Sequence, residues 1–274
     1  MKISHNRGVS SSYVQFNETQ ILVRTDVEEI ADYIVQSHKA MIVPAGDRVV
    51  GRVDVLHSER GYLYQGTGRL DFAGEPHLLF GLLTREILSG FMRAHSDVLW
   101  VHAAVVAYRE RAVLIVGPPT QGKSTLATRL VALGWDYLSD ETAPIRMTTD
   151  EVLPYPRTPV RRLNPGREVA NHESTELERE VIELRAHQIR RSPSTIGLMV
   201  FPSFSFGSPP KLESLKPGDA CIELIRNCMN LPENRSMGVA KAATLCRSIS
   251  GHSLIYGDGD EAAGLLQRLV SSLV

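Results

Sequence analysis

The stretch Gly117-Pro118-Pro119-Thr120-Gln121-Gly122-Lys123-Ser124 decides how the rest of the chain is read. It fits the pattern G-x-x-x-x-G-K-[ST] at every position. In such a loop successive backbone N–H groups turn inward and form a nest for an anion. The helix that follows aims its positive end at the same point, and glycine at 122 lets the backbone approach closely. Lys123 is then placed to reach β- and γ-phosphates, and the Ser124 hydroxyl to ligate Mg2+. Together with Thr125, these residues form the candidate nucleotide-binding set.

The flanks agree with the motif. Residues 112–116 form an apolar, β-branched run that ends at the loop, and residues 124–133 read as a helix stopped by Gly134. Residues 98–106 form a second apolar run, joined to the first through Tyr108-Arg109-Glu110-Arg111. Two adjacent runs this apolar predict central strands covered on both faces. Beyond the helix, residues 136–138 enter another strand that ends at Ser139-Asp140-Glu141. Carboxylates at the C-terminal edge of a strand face the ligand crevice of an open α/β sheet. Of Asp140 and Glu141, one can hold Mg2+ and the other can accept a proton from an attacking hydroxyl. His102, in Trp100-Val101-His102-Ala103-Ala104, falls early in the strand before the loop-bearing one. There it is either a satisfied core histidine or a group that orients the carboxylate base.

Other nucleotide-binding classes lose support. No N-K-x-D follows the loop. The D-x-x-G at Asp71-Phe72-Ala73-Gly74 and the Leu88-Ser89-Gly90 triplet both precede it. Downstream, residues 154–167 are rich in proline and arginine and predict an irregular loop. Arg157, Arg161 and Arg162 are candidate cations for a transferred phosphoryl group or its acceptor.

The remaining pattern is mixed α/β. Residues 19–24 alternate as a strand. Asp26 with Glu29 forms an N-cap signature for a short helix. Residues 49–56 and 62–65 predict strands joined by a turn over 58–61, and residues 76–93 predict a core helix through Leu79, Leu82, Leu83 and Ile87. Residues 173–188 predict a charged helix, residues 196–201 and 253–256 strands, and Ala220, Leu224 and Cys228 a helical stripe. A last helix carries Ala262, Leu265, Leu266, Leu269, Val270 and Leu273 on one face. The expected organisation is one α/β domain over residues 1–274, with a β-rich lobe over 1–75 and a phosphate-loop core over 76–274.

Composition bounds the function classes. The chain has 274 residues, 43% hydrophobic and 22% charged, which excludes wholesale disorder. A net charge of −1 supplies no basic field for nucleic acid, so a nucleic-acid partner is disfavoured. The most apolar stretch, residues 77–92, is too short to span a bilayer and is interrupted by Arg85-Glu86. Three cysteines without a C-x-x-C argue against a disulfide or structural zinc scaffold. A soluble, cytoplasmic protein with no membrane partner is expected.

His102-Ala103-Ala104, then residues 113–125, then Leu138-Ser139-Asp140-Glu141 together resemble the C-terminal kinase domain of HPr kinase/phosphorylase. That family carries a histidine strand, a phosphate loop and an acidic pair in this order. The resemblance covers roughly residues 98–146. It implies a P-loop fold like that shared with phosphoenolpyruvate carboxykinase, with ATP and Mg2+ as cofactors. It also implies transfer of the γ-phosphoryl group to a serine hydroxyl of a peptide or protein, and a homo-oligomer. By position, Asp140 would be the base, His102 its assistant, Lys123 and Ser124 the phosphate and Mg2+ ligands, and Glu141 a metal ligand standing where the family has a second aspartate. The segments Ser139-Asp140-Glu141-Thr142-Ala143-Pro144 and Pro154-Tyr155-Pro156-Arg157 resemble HPr-kinase-like enzymes that tailor ribosomally made peptides. From the residues alone, a non-catalytic nucleotide sensor and a kinase of a small hydroxylated metabolite remain alternatives.

Overall fold

The computed structural model describes residues 8–162, 179–232 and 235–273. The chain divides into two compact units, Met1–Ser96 and Asp97–Val274. The lobe boundary expected near residue 75 falls inside the first unit.

The first unit runs β1 (Ser10–Phe16), β2 (Thr19–Thr25), α1 (Glu28–Ser37), β3 (Ile42–Val43), β4 (Val49–Ser58), β5 (Gly61–Gln65) and β6 (Arg69–Phe72). A 3-10 turn at Pro76–Leu79 then leads into α2 (Phe80–Ala94). Its six strands lie in the order β3-β1-β2-β4-β5-β6, with β2 and β4 parallel. Leu79, Leu83, Ile87 and Phe91 recur every fourth residue and are almost fully buried, so α2 presents one apolar stripe to β2 and β4. Gly90 lets the helix settle closely, because a Cβ there would stand 2.5 Å from Cδ1 of Ile21. The expected Asp26/Glu29 cap does not form. Asp26 Oδ1 instead accepts from the His57 backbone N–H at 2.8 Å, and the parallel β2–β4 register brings those two residues together. The amide of Val27, at the helix entrance, donates to Thr25 Oγ1.

The second unit begins with β7 (Val98–Val101), β8 (Ala103–Tyr108), β9 (Arg111–Val116), α3 (Lys123–Ala132), β10 (Asp136–Ser139), β11 (Ala143–Arg146) and β12 (Glu151–Val152). It continues with β13 (Val160–Arg162), β14 (Arg179–Val181), β15 (Ser194–Phe204), β16 (Lys211–Ser214), α4 (Pro217–Arg226), α5 (Arg235–Ser248), β17 (Gly251–Tyr256) and α6 (Gly259–Leu273). A mixed sheet runs β10-β8-β9-β15-β12-β11-β7, and β17 joins β15 to β16. Strands β9, β15 and β17 are mutually parallel.

The sequence of β9 shows how this sheet is covered. Val113 and Ile115 face a layer holding Leu126 and Leu130 of α3 and Leu266 of α6, whereas Leu114 and Val116 face Leu224 of α4 and Leu245 of α5. Alternation along a strand sends successive side chains to opposite faces, so a continuous apolar run is what a doubly covered strand requires.

Two sequence expectations are corrected here. Residues 98–106 are not one strand: the run breaks at His102, where β7 ends and β8 begins. β7 pairs with β11, and β8 pairs with β9 and β10. A single residue spans only a few ångströms of chain, so the far end of the sheet path returns to meet its second strand, and His102 sits at that seam. Its N–H donates to Asn227 O at 2.7 Å. The helix expected over 173–188 is also replaced in its described part. Residues 179–181 pair with β13 as a ribbon, and residues 186–188 form a 3-10 turn. Residues 173–178 lie outside the described residues. Charge alternation suits an exposed ribbon as well as an exposed helix. Among the described residues, no helix is long and apolar enough to cross a membrane.

Candidate active site

Strand β9 delivers the chain into residues 117–122 at the edge of the sheet, and α3 opens at Lys123. Gly122 has φ +81°, a left-handed conformation open to glycine at no steric cost. The position is closed to any Cβ as well, which would fall 1.9 Å from the Tyr256 hydroxyl. That hydroxyl donates to Gly122 O at 3.1 Å and so pins the loop to β17. Thr120 also has a positive φ, +72°, which is uncommon outside glycine and marks local strain. Gln121 ties the loop to the next strand, its Oε1 accepting from the Phe204 N–H at 3.3 Å.

Lys123 is buried, with 6% exposure. Its ammonium donates to Pro118 O at 2.8 Å and to His102 Nε2 at 3.1 Å. A lysine ammonium has no acceptor, so Nε2 of His102 accepts and the ring proton resides on Nδ1. Burial pushes the Lys123 pKa down to about 8, against the opposing pull of Glu141 and Asp140. Burial and the Lys123 charge lower the His102 pKa and so favour the neutral ring, with Glu141 opposing them. His102 was expected to orient Asp140; its ring accepts from Lys123 and is hydrogen-bonded to the backbone of Glu141, beside Asp140.

The acidic pair follows β10. Asp140 Oδ1 accepts from the Tyr137 hydroxyl at 3.1 Å, and the same hydroxyl lies 2.8 Å from Arg157 O. Burial and the neighbouring Glu141 carboxylate push the Asp140 pKa up to about 6, against Arg157, Tyr137 and the backbone at Val160. Glu141 is exposed and forms an ion pair with the Arg157 guanidinium. The segment after β12 carries Arg157 there: Leu153 N–H donates to Pro144 O and Tyr155 N–H to Leu138 O, laying the chain beside β10 and β11. The side chains of Arg161 and Arg162 lie outside the described residues.

The structure thus brings Lys123 and His102 into contact, with Asp140 and Glu141 close enough to act on the lysine's charge, and Arg157 on Glu141. Three contributors had no place in the sequence reading. Tyr137 looked like an apolar strand residue, although a tyrosine three positions before a carboxylate pair has a hydroxyl in need of a partner. Tyr256 and Phe204 lie on distant strands, and no local signal links them to the loop.

The residues fit a magnesium–nucleotide ligand. The absence of a side chain at Gly122 lets the Tyr256 hydroxyl hold the loop, and the first amides of α3 have no partner inside their own helix. A hydroxyl at Ser124 and a carboxylate at Glu141 match the sparse protein donor set that Mg2+ uses when phosphates and water complete its shell.

Among solved structures, the chain is similar to the Hpr(Ser) kinase/phosphatase from Coxiella burnetii, at 12% identity and a TM-score of 0.30, over 64% of this chain and 97% of that one. No protein-family model and no curated protein matches the chain. The site's own residues carry its chemistry.

Proposed function

We propose that the protein is an ATP- and Mg2+-dependent kinase that transfers the γ-phosphoryl group to a serine or similar hydroxyl of a peptide or protein. One observation carries this reading. At the start of α3 a buried lysine is held by His102 and the loop's own Pro118 carbonyl, within the electrostatic reach of a carboxyl poised near pH 6. A binding loop alone needs no such carboxyl, whereas phosphoryl transfer to a hydroxyl needs a proton acceptor at the phosphate end.

Ser124 and Glu141 would hold Mg2+, which would supply charge neutralisation at the phosphates. Lys123 swings its ammonium from Pro118 O to the phosphates, and His102 steadies it from the other side. Asp140, ionised above about pH 6, takes the acceptor's hydroxyl proton as the oxygen–phosphorus bond forms and the bond to ADP breaks. Tyr137 holds the carboxylate in place. Arg157, set by Glu141, adds positive charge beside the transferred group.

The test uses γ-labelled ATP, Mg2+ and a pool of serine-, threonine- and tyrosine-containing peptides. Wild-type protein should label a hydroxyl, Lys123→Ala should lose both nucleotide affinity and label, and Asp140→Asn should keep affinity while losing label. Transfer at the wild-type rate by Asp140→Asn overturns the base assignment.

A further inference from the structure

Phe206 is the most exposed large apolar side chain among the described residues, at 92%. It is not on a loose loop. Ser208 N–H donates to Ser205 O at 3.0 Å and the two hydroxyls meet at 2.9 Å, closing a turn around it. Ser205 N–H donates to Tyr256 O at 2.8 Å, and Gly257 N–H to Ser208 O at 2.8 Å. Gly257 is packed so tightly beneath this turn that a Cβ there would stand 2.7 Å from Ser205 O and from the amides of Gly207 and Ser208. The ring of Phe204 packs edge-on against Tyr256, with centroids 5.7 Å apart.

The same turn is tied to the phosphate loop. Gln121 accepts from the Phe204 amide, and Tyr256 donates to Gly122 O. Strand order then fixes which side it occupies. Reading along the sheet as β10-β8-β9-β15-β17, the loop follows β9 in the middle. Asp140 follows β10 on one side, and Phe206 follows β15 on the other. All three strands point the same way, because two antiparallel steps separate β10 from β9 and β15 is parallel to it. Their C-terminal ends therefore share one edge.

We infer that Phe206 is a stacking platform for the base of the bound nucleotide. The inference rests on the kinase reading of the phosphate loop. With the γ-phosphate turned toward Lys123 and Asp140, the phosphate chain must run away from them, and the nucleoside leaves on the β15 side. An exposed aromatic ring carried on a hydrogen-bonded turn offers stacking area with its backbone already ordered. Stacking uses the π-face that every base has, so ATP and GTP should bind within a few-fold of each other, with CTP and UTP weaker.

Calorimetric titration of the intact protein with ATP and with inorganic tripolyphosphate tests this. Phe206→Ala should weaken ATP binding by roughly 5- to 150-fold, leave tripolyphosphate binding unchanged, and be rescued by Phe206→Tyr. Phe206→Trp should change its emission with ATP and not with tripolyphosphate. Unchanged ATP affinity in Phe206→Ala overturns the platform, as does equal weakening of both ligands. Lys123→Ala serves as the control for the loop. Tripolyphosphate binding that depends on Lys123, with ATP bound no more tightly, sinks the platform and leaves the phosphate loop standing. Wild-type protein that binds neither ligand removes both readings.

Discussion

Each unit of this molecule holds a carboxylate bonded to a tyrosine, and the two behave oppositely. In the first, Glu86 accepts from Tyr64 at 3.0 Å, from the Thr67 hydroxyl at 2.7 Å, from the Thr67 amide at 3.2 Å and from Arg93 at 3.2 Å. Burial pushes its pKa up, but those donors together outweigh burial and hold it below the ordinary range. In the second, Asp140 shares its tyrosine with a backbone carbonyl, and the nearby arginine is engaged by Glu141. Burial and the like charge of Glu141 win there, and the carboxyl rises to about 6. A tyrosine–carboxylate pair is therefore not a catalytic signature. What matters is whether the donors saturate the ionised form. A saturated carboxylate is a structural anchor, and an under-supplied one is poised to exchange a proton near neutrality.

The largest expected effect separates the two by function. Asp140→Asn should lower phosphoryl transfer by about 10²–10⁴-fold, while Glu86→Gln should leave it unchanged in the same labelled-phosphate assay. A comparable loss in Glu86→Gln would break the comparison.

Stability should move the other way. Glu86→Ala strands the buried Tyr64 hydroxyl and should cost about 1–3 kcal/mol in denaturant unfolding. Because the Glu86 pKa is lowered in the folded state, its contribution is present above the ordinary carboxylate range and is lost as pH falls through the folded value. The Asp140 pKa is raised, so the stability it confers is whole below its ordinary 3.8 and drains away as pH climbs to about 6. Asp140→Asn should therefore unfold at a higher temperature than wild type above pH 6, with the difference closing at low pH. A melting series across pH 3–8 checks both signs.

The third expectation concerns rate against pH. The kcat/KM profile should rise through about 6 as Asp140 ionises and fall through about 8 as Lys123 loses its proton. The upper limb should move to higher pH in kcat, because bound phosphates favour the charged lysine. The smallest effect is a shift of the lower limb, within about one unit. Tyr137→Phe removes a donor and should move that limb up, whereas Glu141→Gln removes a like charge and should move it down.

Much of the core was legible because its signals are local. The phosphate loop announces itself in eight consecutive residues, and β9 and β15 carry apolar runs that suit a covered sheet. What was hidden depends on partners far away in sequence. Nothing in Trp100-Val101-His102-Ala103-Ala104 tells that the chain changes strand at the histidine, because β7 and β8 are equally apolar. Helix α5 was unread because its buried positions are filled by Gly238, Lys241, Ala242, Leu245 and Cys246, a stripe too small and polar to stand out. Lys241 can lie there because its ammonium reaches Asp150 at 2.8 Å. Asp26 and Glu29 had the spacing of a helix cap, but the parallel partner strand claimed the aspartate. In the site, the loop, the acidic pair and Arg157 were visible, and the tyrosines that steady them were not, since a hydroxyl's partner is a matter of tertiary geometry.

The seam at His102 has a consequence for the order in which a ribosome makes this protein. The phosphate loop and its helix emerge soon after β8 and β9, whose hairpin is a local contact that forms early. The carbonyl of Asn227, which anchors the His102 backbone, emerges on the order of ten seconds later at ordinary elongation rates. Phe204 and Tyr256, which hold Gln121 and Gly122, also emerge well after the loop, so the supports of the phosphate loop and of the histidine arrive last. A ribosome-bound chain that ends before Asn227 should therefore bind nucleotide more weakly than the finished protein.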